Sequence, residues 1–426
     1  LNGDVATLVA ELHRLRRHEP LAALRQRRPY WPYAARKFLR RHWAWTLAGV
    51  GVVALSTGFT LSVIRERDAA EAARAQAQRE AEAKGQVTAF VLSMFRAGDP
   101  GSSGHPDLTA SQLLAQGRAR IDGELRGQPL LQSELKSVLA AVYDNIGQPQ
   151  AAIELYDEAL RIERTLQPQR LSHQTDLLSE MALALSDDGQ KLRALKVGRE
   201  ALAVLGQRPD APALEVANVL SHVGWIEAGA DEFDEGRRHL LQALQLRAQW
   251  LGHAHRNTAV THHNLGQLEV RAGQFVQAEQ HLRKALTTLE ALKDLPAPVL
   301  LTTREAWAVS LVHLQRADEA APVQTDTVAQ RRRLHGEGSA VLARSLNELS
   351  TVLRGAGRPR EALAAVDEAI AINRARHPRS PNLVRNLNNR GLALEDLGDP
   401  AAGQAFAELA ALRATLPDLD GNARSQ

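Results

Sequence analysis

The segment NLGQLEVRAGQFVQAEQHLRKAL, residues 264–286, predicts two packed helices joined at Gly273. Glycine can adopt the positive φ that closes the first helix, here called helix A, before the second, helix B, begins. Small residues stand at Gly266 in helix A and at Ala278 and Ala285 in helix B. Because small side chains let two helices approach closely, the segment specifies one helix pair.

This pattern returns along most of the chain with a period of 42 residues. The turn positions are Gly147, Gly189, Asp231, Gly273, Gln315, Gly357 and, after 41 residues, Gly398. Small residues recur five positions after each turn, at Ala152, Ala194, Gly236, Ala278, Ala320, Ala362 and Gly403. They also recur seven positions before it, at Ala140, Ala182, Gly224, Gly266, Ala308, Ser350 and Gly391. One pair cannot bury its apolar face alone, so we predict a stacked array of seven pairs over about 130–412.

The fifth unit departs most from the pattern. Gln315 replaces glycine at the turn, and Thr327 replaces the alanine found twelve positions after the turn in the other units. Pro322 lies inside its helix B, where proline removes a backbone hydrogen bond. We therefore expect a distorted unit.

The small residues Gly266, Gly273, Ala278 and Ala285 resemble the pattern of the tetratricopeptide repeat. The usual unit has about 34 residues, and a unit of 42 is similar to the longer variety in kinesin light chains and many bacterial proteins. The resemblance implies an all-α solenoid whose concave wall, lined by helices A, binds a protein or peptide.

The N-terminal region has a different composition. Residues 1–42 hold ten Lys or Arg against three Asp or Glu, although the whole chain is only +3. The run WAWTLAGVGVVALSTGFTLSVI, residues 43–64, carries no charge and, at about 1.5 Å per residue, is long enough to cross a bilayer. We predict a single transmembrane helix here, with the basic arm cytoplasmic and the C-terminal array periplasmic.

This topology makes the chain a single-pass inner-membrane protein in contact with membrane lipid. Anionic headgroups explain the basic arm, and no nucleic-acid-binding motif accompanies it, so we expect no nucleic-acid partner. An Ala-, Glu- and Arg-rich helical neck should occupy 65–97, followed by a loop and a pre-repeat helix over 98–129. Residues 413–426 are expected to form a flexible tail, and a dimer through the span or the neck is compatible with the sequence.

A second resemblance covers the N-terminal third. The run LVAELHRLRRHEPLAALRQRRPYWPYAARKFLRRH (8–42), the uncharged run, the neck, then FVLSMFRAGDP (90–100) and LTASQLLAQGRARI (108–121) look like the C-terminal half of bacterial transmembrane serine/threonine protein kinases. In that family the opening run is the tail of the kinase domain. Since the chain starts at Leu1 rather than Met, we expect a fragment or a processed product.

Enzyme chemistry is not expected of this chain. It lacks the kinase motifs, a Walker loop, a Gly-x-Ser-x-Gly elbow and a His-Glu-x-x-His pair, and it contains no cysteine. We therefore assign no catalytic, cofactor or metal residue; ATP and Mg would belong only to an upstream kinase domain. His253, His255, His262 and His263 form a local concentration, but the neighbours His262 and His263 cannot both face one site on a helix.

Polar residues on the helices A are the candidates for a peptide groove. Asn and Ser or Thr side chains can hydrogen-bond the backbone of an extended peptide, although polar residues are also common on any solvated helix face. The candidates are Asn218, His222, Thr261, Asn264, Ser345, Glu348, Asn386 and Asn389.

Three functions remain open at this stage. The chain is interpreted first as the extracytoplasmic sensing or scaffold module of a receptor-type kinase. The alternatives are a standalone membrane-anchored scaffold for envelope assembly and a truncated ATP-dependent kinase. The partner, the direction of signalling and the oligomeric state are not encoded in any motif.

Overall fold

The computed structural model of the chain describes residues 5–17, 19, 21, 30–97, 109–167, 169–292, 297–376 and 381–415, and regular structure within them is helical throughout. These residues form eighteen helices. The chain divides into two compact units, Leu1–Ser93 and Met94–Gln426.

The first unit contains α1 (Val5–Arg16), α2 (Tyr30–Arg41) and most of α3 (Trp43–Ala97). Helix α3 is 55 residues long, so the uncharged run and the predicted neck belong to one continuous helix. An ion pair of 2.9 Å joins Arg41 to Glu19 within this unit.

The predicted transmembrane helix at 43–64, and the inner-membrane location based on it, are wrong. Among the residues that the structure describes, none of the helices combines the length and apolar character that crossing a bilayer requires. The uncharged run continues without a break into Arg65 and Glu66, and the exposed hydroxyl residues Ser56 and Thr60 lie within it. A lack of charge over 22 residues was too weak a criterion for a transmembrane helix. The predicted topology and lipid contact depended on that helix and are withdrawn with it.

In the second unit, the end of α3 is followed by α4 (Ala110–Glu124), which is capped by a reciprocal pair of hydrogen bonds between Thr109 and Gln112. The loop predicted at the start of 98–129 and the end of the predicted tail lie outside the described residues. Seven helix pairs follow: α5 (Pro129–Asn145) and α6 (Pro149–Glu163), α7 (Leu171–Asp187) and α8 (Lys191–Leu205), α9 (Ala213–Gly229) and α10 (Phe233–Leu251), α11 (Arg256–Arg271) and α12 (Phe275–Ala291), α13 (Ala297–His313) and α14 (Ala317–His335), α15 (Ala340–Gly355) and α16 (Pro359–Arg376), α17 (Pro381–Asp396) and α18 (Ala401–Thr415).

All seven turn residues adopt the positive φ that the 42-residue register predicts. The turn residues have φ between +60° and +79°, including Asp231 (φ 67°) and Gln315 (φ 60°), which are not glycine. The residue after the turn donates its N–H five residues back, as Gln274 does to the carbonyl of Glu269 over 2.8 Å. This bond closes helix A and sets the reversal into helix B.

The small residues lie where the two helices of a pair touch. A Cβ on Gly224 would be 2.9 Å from the carbonyl oxygen of Gly236, so two backbones meet there without side chains between them. The last pair differs, because Gly403 is exposed and has no atom within 4 Å of its Cβ position, while Ala405 and Leu409 are buried. Helix α18 thus presents a different face to its partner.

The fifth pair keeps a continuous helix B. Helix α14 runs without interruption from Ala317 to His335 although it includes Pro322, whose ring is exposed. Thr327 is fully buried and donates to the carbonyl of Val323 over 2.8 Å. The hydroxyl is accommodated inside its own helix, so the predicted distortion does not break the helix.

The array curves toward its helices A. Helices A of neighbouring pairs pack against one another in the described residues, whereas each helix B packs mainly on the helices A before and after it. Helices that lie closer together occupy the inner side of a curved stack. The concave face is therefore formed by α5, α7, α9, α11, α13, α15 and α17.

Candidate functional site

A cavity of about 350 Å³ opens on the concave face between the second, third and fourth helix pairs. Its walls come from the helices A of these pairs and from α10, the helix B of the third pair. The lining residues are Asp176, Ser179, Glu180, Asn218, Val219, His222, Arg247, Asn257 and Val260. Most of them are polar, so the cavity favours a polar ligand.

Arg247 is the buried cation of this cavity, with only 6% of its surface exposed. One of its terminal nitrogens donates to Thr261 Oγ1 over 2.6 Å and the other to Asn218 Oδ1 over 2.9 Å. Among the described side chains it has no carboxylate partner, and its Nε has no acceptor. Burial lowers the pKa of the guanidinium from its usual value, as expected for a cation without a counter-charge.

Arg331 occupies the position of Arg247 in another repeat, and there the charge of the arginine is neutralised. It lies two repeats further along, is 2% exposed, and forms two bonds of 3.3 and 3.2 Å with the carboxylate of Glu305, which also accepts from Ser345. Glu305 stands 26 residues before Arg331, and Ser221 stands 26 residues before Arg247. The third pair therefore has a hydroxyl where the fifth has a carboxylate.

Two carboxylates line the opposite wall. Although Asp176 is exposed to solvent, partial desolvation by the surrounding concave face raises its pKa to about 6, and the nearby Glu215 adds to the shift. Burial also raises the pKa of Glu180, with Asp176 and Asp144 contributing. Neither Asp176 nor Glu180 forms an ion pair with a Lys or Arg among the described residues, and Glu180 Oε1 lies 3.8 Å from Nδ1 of His222, so this wall carries negative charge.

His222 lies between the two walls in its neutral form. Burial, and then the charge of Arg247, lower its pKa to about 4. Its Nδ1 is 2.8 Å from the hydroxyl of Ser179 on the preceding helix A. Near neutral pH the ring therefore contributes a hydrogen-bonding group rather than a charge.

The structure brings three of the predicted groove residues together at this cavity. Asn218 is exposed at its edge and His222 is half-buried in its wall. Thr261 is fully buried beneath them and holds Arg247, so it supports the site from below. Asn264 is half-buried on the same helix as Thr261 but is not among the lining residues.

The other four predicted residues lie toward the C-terminal end of the array. Ser345 and Asn386 are buried, at 0 and 1% exposure, and bond protein groups. Asn389 donates to Asn347 over 3.1 Å and joins two helices A. Glu348 is half-buried, and burial raises its pKa. The eight candidates thus fall into two groups rather than one continuous groove.

Asp176, Ser179, Arg247 and Asn257 line the cavity but were not predicted from the sequence. A signal for Arg247 was present in the column sixteen residues after each of the first six turns, where leucines alternate with polar or charged residues. That column reads Glu163, Leu205, Arg247, Leu289, Arg331 and Asn373. Because both leucines of this column are buried, a charged residue at the same position indicates either an internal ion pair or a binding site.

The histidine concentration separates in the fold. His255 caps α11 by accepting from the backbone N–H of Asn257 over 3.1 Å. His262 and His263 point to different helices, with His262 Nδ1 2.9 Å from His281 Nδ1 and His263 Nδ1 2.9 Å from Thr303 Oγ1. In the described part of the chain, no three potential metal-binding side chains come together.

The paired helices, their seven turns and their concave face define a tetratricopeptide solenoid. Family models agree, since one tetratricopeptide repeat model matches residues 215–291 and 299–375 and another matches 135–169. The chain therefore carries tetratricopeptide repeats, as its small-residue pattern predicted.

A solved structure shows the same fold. The chain is similar to the apo form of RapI, at 12% identity and a TM-score of 0.51, over 78% of this chain and 87% of that one. It also matches nearly identical TPR-like repeats of a kinesin light chain from Podosopora anserina, at 17% identity and a TM-score of 0.42, over 49% of this chain and 99% of that one. No curated protein matches the chain. The likeness to RapI concerns the fold alone, and the expected relation to serine/threonine kinases stays a prediction.

Proposed function

We propose that this chain is a protein–protein interaction module that binds an extended peptide segment of a partner protein on its concave face. The cavity of about 350 Å³ between α7, α9 and α11 is the observation that carries this proposal. The exposed side chains of Asn218 and Asn257 stand at its edge. The Asn218 Oδ1 accepts from Arg247, so its NH₂ group can donate to a peptide carbonyl, and the amide of Asn257 can bond both the N–H and the carbonyl of a peptide backbone.

Selection from a random peptide library tests the proposal. The full chain is immobilised and used to select peptides, whose dissociation constants are then measured by fluorescence polarisation. The double variant Asn218→Ala/Asn257→Ala should weaken binding about tenfold, because two backbone hydrogen bonds are lost. Gln245→Ala/Gln249→Ala, exposed positions on α10 outside the cavity, is the matched control and should leave binding unchanged. Failure to select any peptide contradicts the proposal.

A kinase-linked array and a standalone scaffold are both compatible with peptide binding. The resemblance of residues 8–42 to a kinase tail supports the first context. Its test is the genomic sequence upstream of Leu1, where an in-frame kinase domain is expected; a start codon close by favours the standalone scaffold. The proposed dimer is tested by light scattering of the full chain.

A further inference from the structure

The charge of Arg247 is not neutralised by the protein that surrounds it. Thr261, Ser221 and Asn218 accept hydrogen bonds from it through neutral oxygens, and the carbonyl of Asn257 does the same. Its Nε–H has no acceptor. Since a buried cation without a counter-charge is costly, an anion that enters the cavity beside it would be stabilised.

The array contains its own example of the missing interaction. At the same register, the carboxylate of Glu305 bonds Arg331 through two oxygens. Ser221 is shorter than glutamate and reaches Arg247 only through one hydroxyl at 3.3 Å. The space beside Arg247 belongs to the cavity of about 350 Å³, so the third pair has the cation and the room but not the carboxylate.

The opposite wall sets a second requirement. Asp176 and Glu180 face the same cavity without a Lys or Arg ion pair among the described residues. These carboxylates would repel a purely anionic ligand and attract a basic group. The two walls together suit a ligand with both charges.

We infer that this cavity binds a peptide segment whose carboxylate lies against the guanidinium of Arg247 and whose basic group lies against Asp176 and Glu180. This inference rests on the proposed peptide-binding function and specifies the chemistry of the partner. The carboxylate comes from an Asp or Glu side chain or from the C-terminus of the partner chain. Both sources present the same planar pair of oxygens to the guanidinium.

The peptides selected by the wild-type chain provide the probes. Each is synthesised with a free and with an amidated C-terminus, with its acidic residues changed to Gln, and with its basic residues changed to Gln. Removing the carboxylate that contacts Arg247 should weaken binding about tenfold or more, as for other hydrogen bonds to a charged group. Sensitivity to amidation identifies a terminal carboxylate, whereas sensitivity to the acidic-to-Gln change identifies a side chain.

Two protein variants test the site independently of the peptide. Ser221→Glu places a carboxylate where Glu305 stands in the fifth pair, and should displace the ligand by pairing internally with Arg247. Arg247→Gln keeps a hydrogen-bond donor and removes the charge. The control Gln245→Glu adds the same negative charge to an exposed position of α10. Circular dichroism checks that each variant folds. If only one of Ser221→Glu and Arg247→Gln folds, that variant alone is enough to test the inference.

The outcomes separate this inference from the proposed function. The inference is supported if Arg247→Gln or Ser221→Glu weakens peptide binding about tenfold and Gln245→Glu changes it by no more than about twofold. Peptides that bind these two variants as tightly as the wild type overturn the inference and leave the proposed function intact. Peptides that respond to the loss of acidic but not of basic residues overturn the role of Asp176 and Glu180. A selection that yields no peptide overturns both proposals.

Discussion

Gly266 and Leu282 are so close that a Cβ on Gly266 would lie 2.4 Å from Leu282 Cγ. Leu282 is fully buried, so its branched end has little space in which to move. The glycine is therefore required by packing, not by backbone conformation, and it sets the separation of α11 and α12.

Gly266→Ala should destabilise the array by about 2 kcal/mol, since an added methyl group in a close-packed core forces neighbouring atoms apart. Urea denaturation monitored by circular dichroism measures the change. Gly403→Ala is the matched control, because no atom lies within 4 Å of its Cβ position. It should be neutral or raise the free energy of unfolding by up to about 1 kcal/mol through better helix propensity. Equal losses in the two variants would contradict this account.

Gln315→Gly should stabilise the chain by about 1 kcal/mol. Gln315 holds φ at 60°, where a side chain is strained and glycine is not. Thermal unfolding of the full chain measures the gain. In the opposite direction, Gly273→Ala places a side chain at φ 72° and should lower stability by a similar amount. A loss of stability in Gln315→Gly would show that the turn tolerates its side chain without strain.

Asp176→Asn should raise stability above pH 6 but not near pH 3.5. The pKa of Asp176 is raised to about 6 in the folded chain, against about 3.9 when unfolded, so the folded state binds the proton more tightly. The free energy of unfolding therefore falls as pH rises through this interval and stays lower above it. Asparagine removes this loss, with a gain of about 1 kcal/mol at pH 7.5 after allowing for the screening of an exposed carboxyl by solvent. Denaturation curves across the pH range test it, and a difference that does not vary with pH would contradict it.

Glu305→Gln should destabilise the fifth pair by about 3 kcal/mol, because it leaves the buried guanidinium of Arg331 without its counter-charge. The loss is measured by chemical denaturation. Glu235→Gln breaks the exposed pair with Arg238, at 3.2 Å, and serves as the control. That change should cost no more than about 0.5 kcal/mol. Comparable effects at the two positions would mean that burial does not strengthen the Glu305–Arg331 pair.

The repeat made much of the fold predictable, because each turn position is confirmed by the same spacing in every other pair. This register identified Asp231 and Gln315 as turn residues although neither residue type favours positive φ. The uncharged run at 43–64 had no such internal repetition, and judging it by its length and lack of charge led to the wrong membrane assignment. The last pair also escaped prediction, since the spacing does not show that α18 presents a different face.

The cavity was harder to predict than the fold. The helix A register identified Asn218 and His222, which line it, and Thr261, which supports it. Arg247 comes from a helix B. Its importance depends on Ser221, which stands 26 residues earlier and does not provide a carboxylate to neutralise the guanidinium. The column of Arg247 and Arg331 does not by itself show that one arginine lacks a counter-charge. Comparing it with the column of Ser221 and Glu305 does show this.

The packing of each pair on its neighbours has a consequence for how the array fails under load. Stability in such a stack is the sum of local terms, so unfolding starts at the weakest junction rather than everywhere at once. The fifth pair combines a strained turn at Gln315 with Pro322 inside its helix B. A pulling force or a denaturant should therefore separate the stack there first, leaving the earlier pairs and their cavity as a folded block.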